Sequence, residues 1–599
     1  MSETPEVDQT VAGVPADELA GSLSEELAGD LVTAGVPSAS AVDGSPPSSS
    51  TASASVLRSS VVMGTGTVLS RFGGVLRGVA LAAALGAGTV ADMFILGNTL
   101  PNVIYILIIG GALNAVFIPE LVRHMKDDGD DGVAYADRLI SLVGTLLIVV
   151  SVAAVVLAPW IVRLYATPAY TQSQLDLATS FARFCLPQIF FYGAYTMLSQ
   201  VLNARGHFGA PMFAPLVNNL VAIVTFVLFI AVAGSEAGAD GVLEPEQVAL
   251  LGVGTTLGVA LQAAVLVPVL RRAGYRFRPR FSFRGAGLGT AGGLAAWTIG
   301  LVLVNQLAYV VIVRLATGVN AVSQAQGLTA AGLTAYTNAH LMFVLPHSVI
   351  TVSIVAALLP RMSRAAHDRA YADLAGDIAA GMRSAAALIV PASVALVVLG
   401  TQAGVLLFNY GQTSTESAQV TGSLASVFAL GLLPFTLYYV ILRGWYALEQ
   451  TRTAFWITVV LNALYLAIAV PLFALVADRR PGPAALAALA FGYVASYWIT
   501  VALAWWVLAR RLGGLETGRT VRALVRMGAA GVVTLVVMGG TLVVLRQVLD
   551  VGSRLGAAID IAVVGSLGLV AYLAAASLLH ITEVTDSLAM IRRRSPVRR

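Results

Sequence analysis

The sequence predicts an all-α polytopic membrane protein: about fourteen transmembrane helices, arranged as two pseudo-symmetric six-helix lobes plus two C-terminal helices. Three observations predict it. Hydrophobic residues make up 57% of the 599-residue chain and charged residues only 11%, and the mean hydropathy is +0.82, so water does not solvate it as a globule. Apolar stretches of the roughly 20 residues needed to cross a hydrocarbon core recur from Val56 to His580. Proline-marked landmarks return about 240 to 250 residues apart: the F-C-L-P run ending at Pro187 is echoed by Phe428 to Pro434, and A-V-F-I-P-E-L around Pro119 by A-A-L-L-P-R-M around Pro360.

Taken in order, residues 1–55 are rich in Ser, Ala, Pro, Glu and Asp, have no basic residue and lack the apolar run of a signal peptide. They read as a disordered acidic cytoplasmic tail. An N-terminal lobe over 56–270 holds spans at 56–85, 92–117, 139–164, 178–203, 212–233 and 248–270. A basic amphipathic cytoplasmic linker, 271–290, leads into a C-terminal lobe over 291–510 with spans at 292–316, 335–358, 380–407, 424–447, 454–476 and 484–508. Two extra transmembrane helices, 521–545 and 557–579, occupy 511–582, and a basic cytoplasmic tail closes the chain at 583–599. Repeats of this kind build two bundles that rock about a central site, which points to transport.

Charge orients the bundle, because cytoplasmic loops retain Lys and Arg. Arg123, Lys126 and Arg138 follow span two, Arg205 span four, and Arg271, Arg272, Arg276, Arg278, Arg280 and Arg284 span six. Arg361, Arg364 and Arg369 follow span eight, and Arg510, Arg511, Arg519 and Arg522 span twelve. The connections after spans one, five, seven and nine carry no Lys or Arg, and the one after span five is acidic. Both termini are therefore expected in the cytoplasm, with Arg163, Arg479, Arg480, Arg546 and Arg554 as minority violations.

Enzyme chemistry finds no footing. There is no GxxxxGK[ST] phosphate loop, no His/Cys cluster at metal-ligand spacing and no GxSxG elbow, so neither catalytic residues nor a cofactor nor a metal is expected. The single cysteine, Cys185, has no intramolecular disulfide partner. Glycine pairs such as Gly64/Gly66 and Gly292/Gly293 read as helix-packing sites.

Charge inside the first span stands out instead. Arg77 has about nine apolar residues still to run, which places it roughly 13 Å below the outer helix end. A guanidinium facing lipid there costs several kcal/mol, so it is expected to face a wet cavity or a partner. Arginine's planar fork also suits a phosphate, and an anionic, phosphate-bearing substrate follows for Arg71 and Arg77. The competing reading for Arg71 is an interfacial residue that snorkels. Arg183, Arg314 and Arg443 lie near span ends and read as snorkelling. Asp92 opens the second span, where a carboxylate also suits the dipole of its own helix. Asn98, Asn102 and Asn114 on span two, with Asn338 and His340 on span eight, are candidates to line a central cavity; interhelical hydrogen bonds explain them equally well. Thr458 and Asn462 share a face of span eleven and form a weak candidate ion site without a carboxylate.

S-R-F-G-G-V-L-R at Ser70–Arg77, G-A-G-T-V-A-D-M-F at Gly86–Phe94, L-P-N at Leu100–Asn102 and G-A-L-N-A-V-F-I-P at Gly111–Pro119 resemble the opening signature of MurJ (MviN)-type lipid II flippases. These belong to the multidrug/oligosaccharidyl-lipid/polysaccharide exporter superfamily. A-L-L-P-R-M-S-R at Ala357–Arg364 and A-L-E-Q-T-R-T at Ala447–Thr453 extend the resemblance. It implies a central cationic cavity, a groove on the two extra helices for a polyprenyl tail, and passage of an undecaprenyl-pyrophosphate-linked glycan between leaflets of the cytoplasmic membrane. Arg71 and Arg77 would engage the pyrophosphate, and Asp92 would gate the site or position the basic groups. The chain departs from the pattern at Tyr105 and Gly110-Gly111, where the family usually carries arginine and a Glu-Gly pair. It departs again at Ala339, His340 and Leu341, where an Asp-Arg pair is common. Other implied partners are membrane lipids and cell-wall synthesis proteins, with no nucleic acid. Readings to be weighed against this are a flippase for another lipid-linked glycan, a cation-coupled drug exporter, and a non-transporting cell-wall scaffold.

Overall fold

The computed structural model describes residues 66, 69–110, 132–234, 237–238, 241–281, 292–547 and 553–584. Expectations for the 1–55 tail, Asn114, most of the 583–599 tail and the linker beyond Phe281 lie outside the described residues. Among those described there is no β-strand.

The first half comprises α1 (residues 69–85), α2 (Thr89–Tyr105, continuing as a π turn through Ile106–Gly110), α3 (Val133–Tyr165), α4 (Gln172–Cys185), α5 (Gln188–Ala204), α6 (Gly209–Ala233), α7 (Pro245–Ala264) and α8 (Leu266–Arg272). The second half comprises α9 (Gly292–Ala325), α10 (Leu333–His367), α11 (Tyr371–Phe408), α12 (Thr415–Ala429), α13 (Leu432–Ala447), α14 (Thr451–Arg479) and α15 (Pro483–Leu512). The chain ends on α16 (Thr517–Leu545) and α17 (Arg554–Leu578).

Eleven described helices are long and apolar enough to cross a membrane, and the bent pair α12–α13 makes a twelfth span if counted as one. The other two expected spans correspond to α1, only partly described, and to α4 with α5. Expected spans four and ten are thus corrected from single helices to broken ones. The first breaks at Leu186-Pro187, where proline lacks the N–H that would continue the ladder. The second bends by 52° at Leu430-Gly431, just before Pro434.

Pairwise packing repeats as the sequence does. In the first half α2 packs on α4, α3 on α4 and α5, α5 on α7 and α6 on α7; in the second, α10 packs on α12, α11 on α12 and α13, α13 on α15 and α14 on α15. Exposed Val149, Val152, Val156 and Trp160 on α3 form one of many apolar faces suited to lipid.

Two buried ion clusters tie on the remaining pieces. Fully buried Asp137 on α3 accepts from the Tyr275 hydroxyl at 2.8 Å and the Arg278 amide at 3.1 Å, and pairs with Arg280 at 3.6 Å, so the non-helical start of the linker is strapped to the first lobe. Burial, then Asp137 itself, pushes the Tyr275 phenol well up. Arg383 on α11 is buried and pairs with Glu516 at 2.9 Å and Glu583 at 3.2 Å, clipping both ends of the α16–α17 pair to the second lobe. Farther along, Ala386, Ala387 and Val390 of α11 share a core with Met527, Ala530 and Tyr572 of that pair.

Candidate functional site

The two lobes meet at the loops that carry no Lys or Arg, the side assigned to the exterior by charge. Asp92 is the centre of this seal. It lies in the first turn of α2, fully buried, and its carboxylate serves a helix of the other lobe rather than its own. Oδ1 accepts from the Thr334 amide at 2.7 Å and the Thr334 hydroxyl at 2.5 Å; Oδ2 accepts from the Leu333 amide at 3.0 Å and Asn320 Nδ2 at 3.1 Å. Leu333 and Thr334 are the first two residues of α10, whose amides have no partner within the helix, so the carboxylate satisfies orphan donors and the positive end of the dipole together. The reading of Asp92 as a carboxylate for its own helix is corrected accordingly. Gly332 is what permits the approach: a Cβ there would sit 2.1 Å from Asp92 Oδ2.

The α11–α12 loop completes the seal. The Gln412 amide donates to Ala83 O at 3.1 Å and Thr413 Oγ1 to Ala82 O at 2.7 Å, on the last turn of α1, while Gln412 Nε2 reaches Ala237 O at 2.9 Å. Gly411 adopts φ +56°, and a Cβ on it would lie 2.1 Å from Ala83 O. No side chain larger than hydrogen fits that contact.

Below the seal lies a basic cluster. Arg71 is 4% exposed, which excludes a freely snorkelling residue, and its charge is felt together with that of Arg443 at His347 on α10. Arg71 and His347 each lie fourteen residues from the sealed end of their helix, about 21 Å down at 1.5 Å per residue. Arg443 is equally buried; its guanidinium stacks 4.3 Å from the Tyr439 ring centroid and donates to that hydroxyl. The expectation that Arg443 snorkels is corrected, whereas Arg183 and Arg314 are exposed as expected. Arg77 is half-buried higher on α1, and Asn338 of α10 faces the adjacent Gly78.

The other candidates scatter. Asn98 accepts from Gln188 Nε2 at 3.2 Å, and buried Asn102 lies on the same helix. His340 is boxed by the rings of Phe343, Phe428 and Tyr493, at 5.5 to 5.7 Å. Asn462 donates to Asn305 Oδ1 at 2.6 Å and to Thr458 O at 3.0 Å, so this pair does share a face, yet it is closed by an amide of α9. Among the described residues no group of three or more His, Cys, Asp or Glu converges as a metal site would require.

Residues 81–556 match the family model described as lipid II flippase MurJ. The chain belongs to this family. A probable lipid II flippase MurJ of Rhizobium tropici is 28% identical over 471 residues, covering 76% of this chain and 84% of the relative. The one from Rhizobium meliloti (strain 1021) is 26% identical over 459 residues, covering 75% and 81%. The lipid II flippase MurJ of Burkholderia cenocepacia is 26% identical over 393 residues, covering 65% and 72%. Among solved structures, a lipid II flippase MurJ in an inward closed conformation superposes with TM-score 0.67 at 16% identity, covering 87% of this chain and 99% of that one. An inward-facing multidrug resistance MATE transporter gives 0.57 at 15%, covering 76% and 99%. At these identities the likeness is one of fold.

Against the MurJ pattern, Tyr105 fills the usual arginine position and hydrogen-bonds Thr196 within the first lobe. The second lobe contributes a basic group instead through Arg443, which the sequence reading placed at the interface. The available signal was Arg443 itself, inside an otherwise apolar run from Leu432 to Ala447.

Proposed function

We propose that this protein is a flippase carrying undecaprenyl-linked peptidoglycan precursor, lipid II, from the inner to the outer leaflet of the cytoplasmic membrane by alternating access of its lobes. The observation that carries the reading is the placement of basic groups about 21 Å beneath a sealed face, the one the arginine pattern assigns to the exterior. Family membership supports the cargo class. In this mechanism the pyrophosphate enters from the cytoplasm and is held by charge-assisted hydrogen bonds from Arg71 and Arg77, with Arg443 adding positive field from the other lobe. Drawing the lobes together around the anion levers the far face apart, and the donors on α10 exchange the Asp92 carboxylate for water. Both termini lie in the cytoplasm, residues 56–270 and 291–510 form the moving lobes, and the clipped α16–α17 pair travels with the second lobe and receives the polyprenyl tail.

The test is depletion of the protein in its own organism, complemented with wild type, Arg71→Ala or Arg443→Ala at matched membrane levels, with outer-leaflet lipid II measured. The expected result is loss of exposed lipid II on depletion and no rescue by either variant. Unchanged lipid II exposure on depletion would overturn the cargo. Tyr105 and His340, standing where the family carries charge, would then favour a different lipid-linked glycan.

A further inference from the structure

The seam between α17 and α11 holds two buried polar side chains in the apolar outer half of the protein. Asp560 is 2% exposed and, among the described residues, its Oδ1 has no hydrogen-bond partner; Gln402 is 1% exposed and neither its Oε1 nor its Nε2 has one there. Register brings them together. The helices run antiparallel, with Tyr572 bonding Ala387 O at 3.0 Å and Gly565 facing Leu399 Cδ1 at 3.9 Å. From that level, Gln402 lies about 4.5 Å and Asp560 about 7.5 Å toward the exterior, so they differ by about 3 Å in height. Asp560 continues the buried i, i+4 stripe of Val564, Gly568 and Tyr572, and Gln402 shares the face of Leu399, which packs with Val564.

Among the described residues the facing helices supply no counter-charge. From Leu388 to Phe408 α11 carries no ionisable side chain, nor does α16 from Met527 to Leu545. On α17 beyond Arg554 the only other such group is Tyr572, already bonded. At the outer rim Arg554 sits 4.6 Å over the Tyr410 ring, and Arg546 is exposed at the end of α16. An ionised carboxylate in such a place is costly unless a positive charge joins it.

We propose that Asp560 and Gln402 form a monovalent-cation site, filled by a proton or an alkali metal ion, in the joint between the C-terminal helix pair and the second lobe. Asp560 neutralises the cation, and the Gln402 carbonyl oxygen supplies a neutral ligand or accepts the carboxyl proton. Occupancy then fixes α17 against α11, independently of the cargo.

The test uses the full-length protein in detergent and dicyclohexylcarbodiimide, an apolar reagent that modifies protonated carboxyls in membranes, with the Asp560 peptide read by mass spectrometry. Thermal melting of wild type, Asp560→Asn and Gln402→Leu is followed in parallel across about pH 5 to 9, with and without Na+ or K+. For a proton site, labelling and melting temperature rise as pH falls and ignore the salts. For an alkali-ion site, Na+ or K+ at fixed pH protects Asp560 from labelling and raises the melting temperature. In either case Asp560→Asn flattens the dependence, and Gln402→Leu shifts its midpoint by about tenfold in cation concentration. The proposal is overturned if labelling and melting respond to neither pH nor salt, or if Asp560→Asn keeps the full wild-type response.

Discussion

Replacing Gly332 with alanine perturbs the seal without removing any charged group. The new Cβ would stand 2.1 Å from Asp92 Oδ2, about 1.3 Å inside the 3.4 Å at which ordinary contact begins. It would also press on Asn320 Cβ at 2.6 Å, so the carboxylate has no easy sideways escape. Moving Oδ2 by that much stretches the bonds from the Leu333 amide and Asn320, now 3.0 and 3.1 Å, beyond hydrogen-bonding range. Losing even one of these two hydrogen bonds to a charged acceptor costs roughly 1.5 to 3 kcal/mol, so the ratio of sealed to open states falls by at least about 10- to 150-fold. Spin labels at Gly88→Cys and Ser414→Cys, in a Cys185→Ala background, read that ratio as a distance distribution. Gly88 is suited to this because nothing lies within 4 Å of its Cβ position. The expected result is a second, longer distance in Gly332→Ala and a larger share of it in Asp92→Ala. An unchanged distribution in both variants would refute the role assigned to this carboxylate.

Arg383→Ala strands Glu516 and Glu583 and should cost about 3 kcal/mol, tempered by the partial exposure of Glu516, with a lower melting temperature and earlier proteolysis near residue 516. Asn462→Leu leaves the buried Asn305 carbonyl without its donor and should cost about 1 to 3 kcal/mol, Asn305→Leu costs less because Asn462 keeps its bond to Thr458 O, and the double variant recovers part of the loss; strict additivity in thermal melts would show that the two amides are not coupled. Tyr275 holds its proton more tightly folded than unfolded, so its contribution to stability is complete below about pH 10 and is lost as pH rises beyond it. Denaturation of Tyr275→Phe beside wild type should therefore show a gap that is constant at neutral pH and closes in alkali; a gap that widens with pH would contradict the Asp137 bond.

Much of the architecture was readable because membrane insertion acts on local quantities. Span positions follow from apolar length, whereas spans four and ten read as single helices and break at Pro187 and at Gly431, just before Pro434. The deep placement of Arg71 and Arg77 was legible for the same reason. What these groups meet was not. Asp92 and Thr334 are separated by 242 positions and Asn305 and Asn462 by 157, so no window along the chain contains either contact. Arg443 lies four residues from the end of its helix, a position that reads as interfacial, and only the packing around that helix buries it, stacked on Tyr439 one turn back. Asp560 lies near a helix start in the sequence, and only the docking of α17 on α11 buries it. That this chain spans the membrane as a repeated helical bundle carrying charge in its first span follows from the residues alone, since hydrophobicity and backbone propensity are properties of short segments. Only the tertiary structure decided which face is sealed, which carboxylate seals it and which basic groups share the interior, since each depends on bringing together helices hundreds of residues apart.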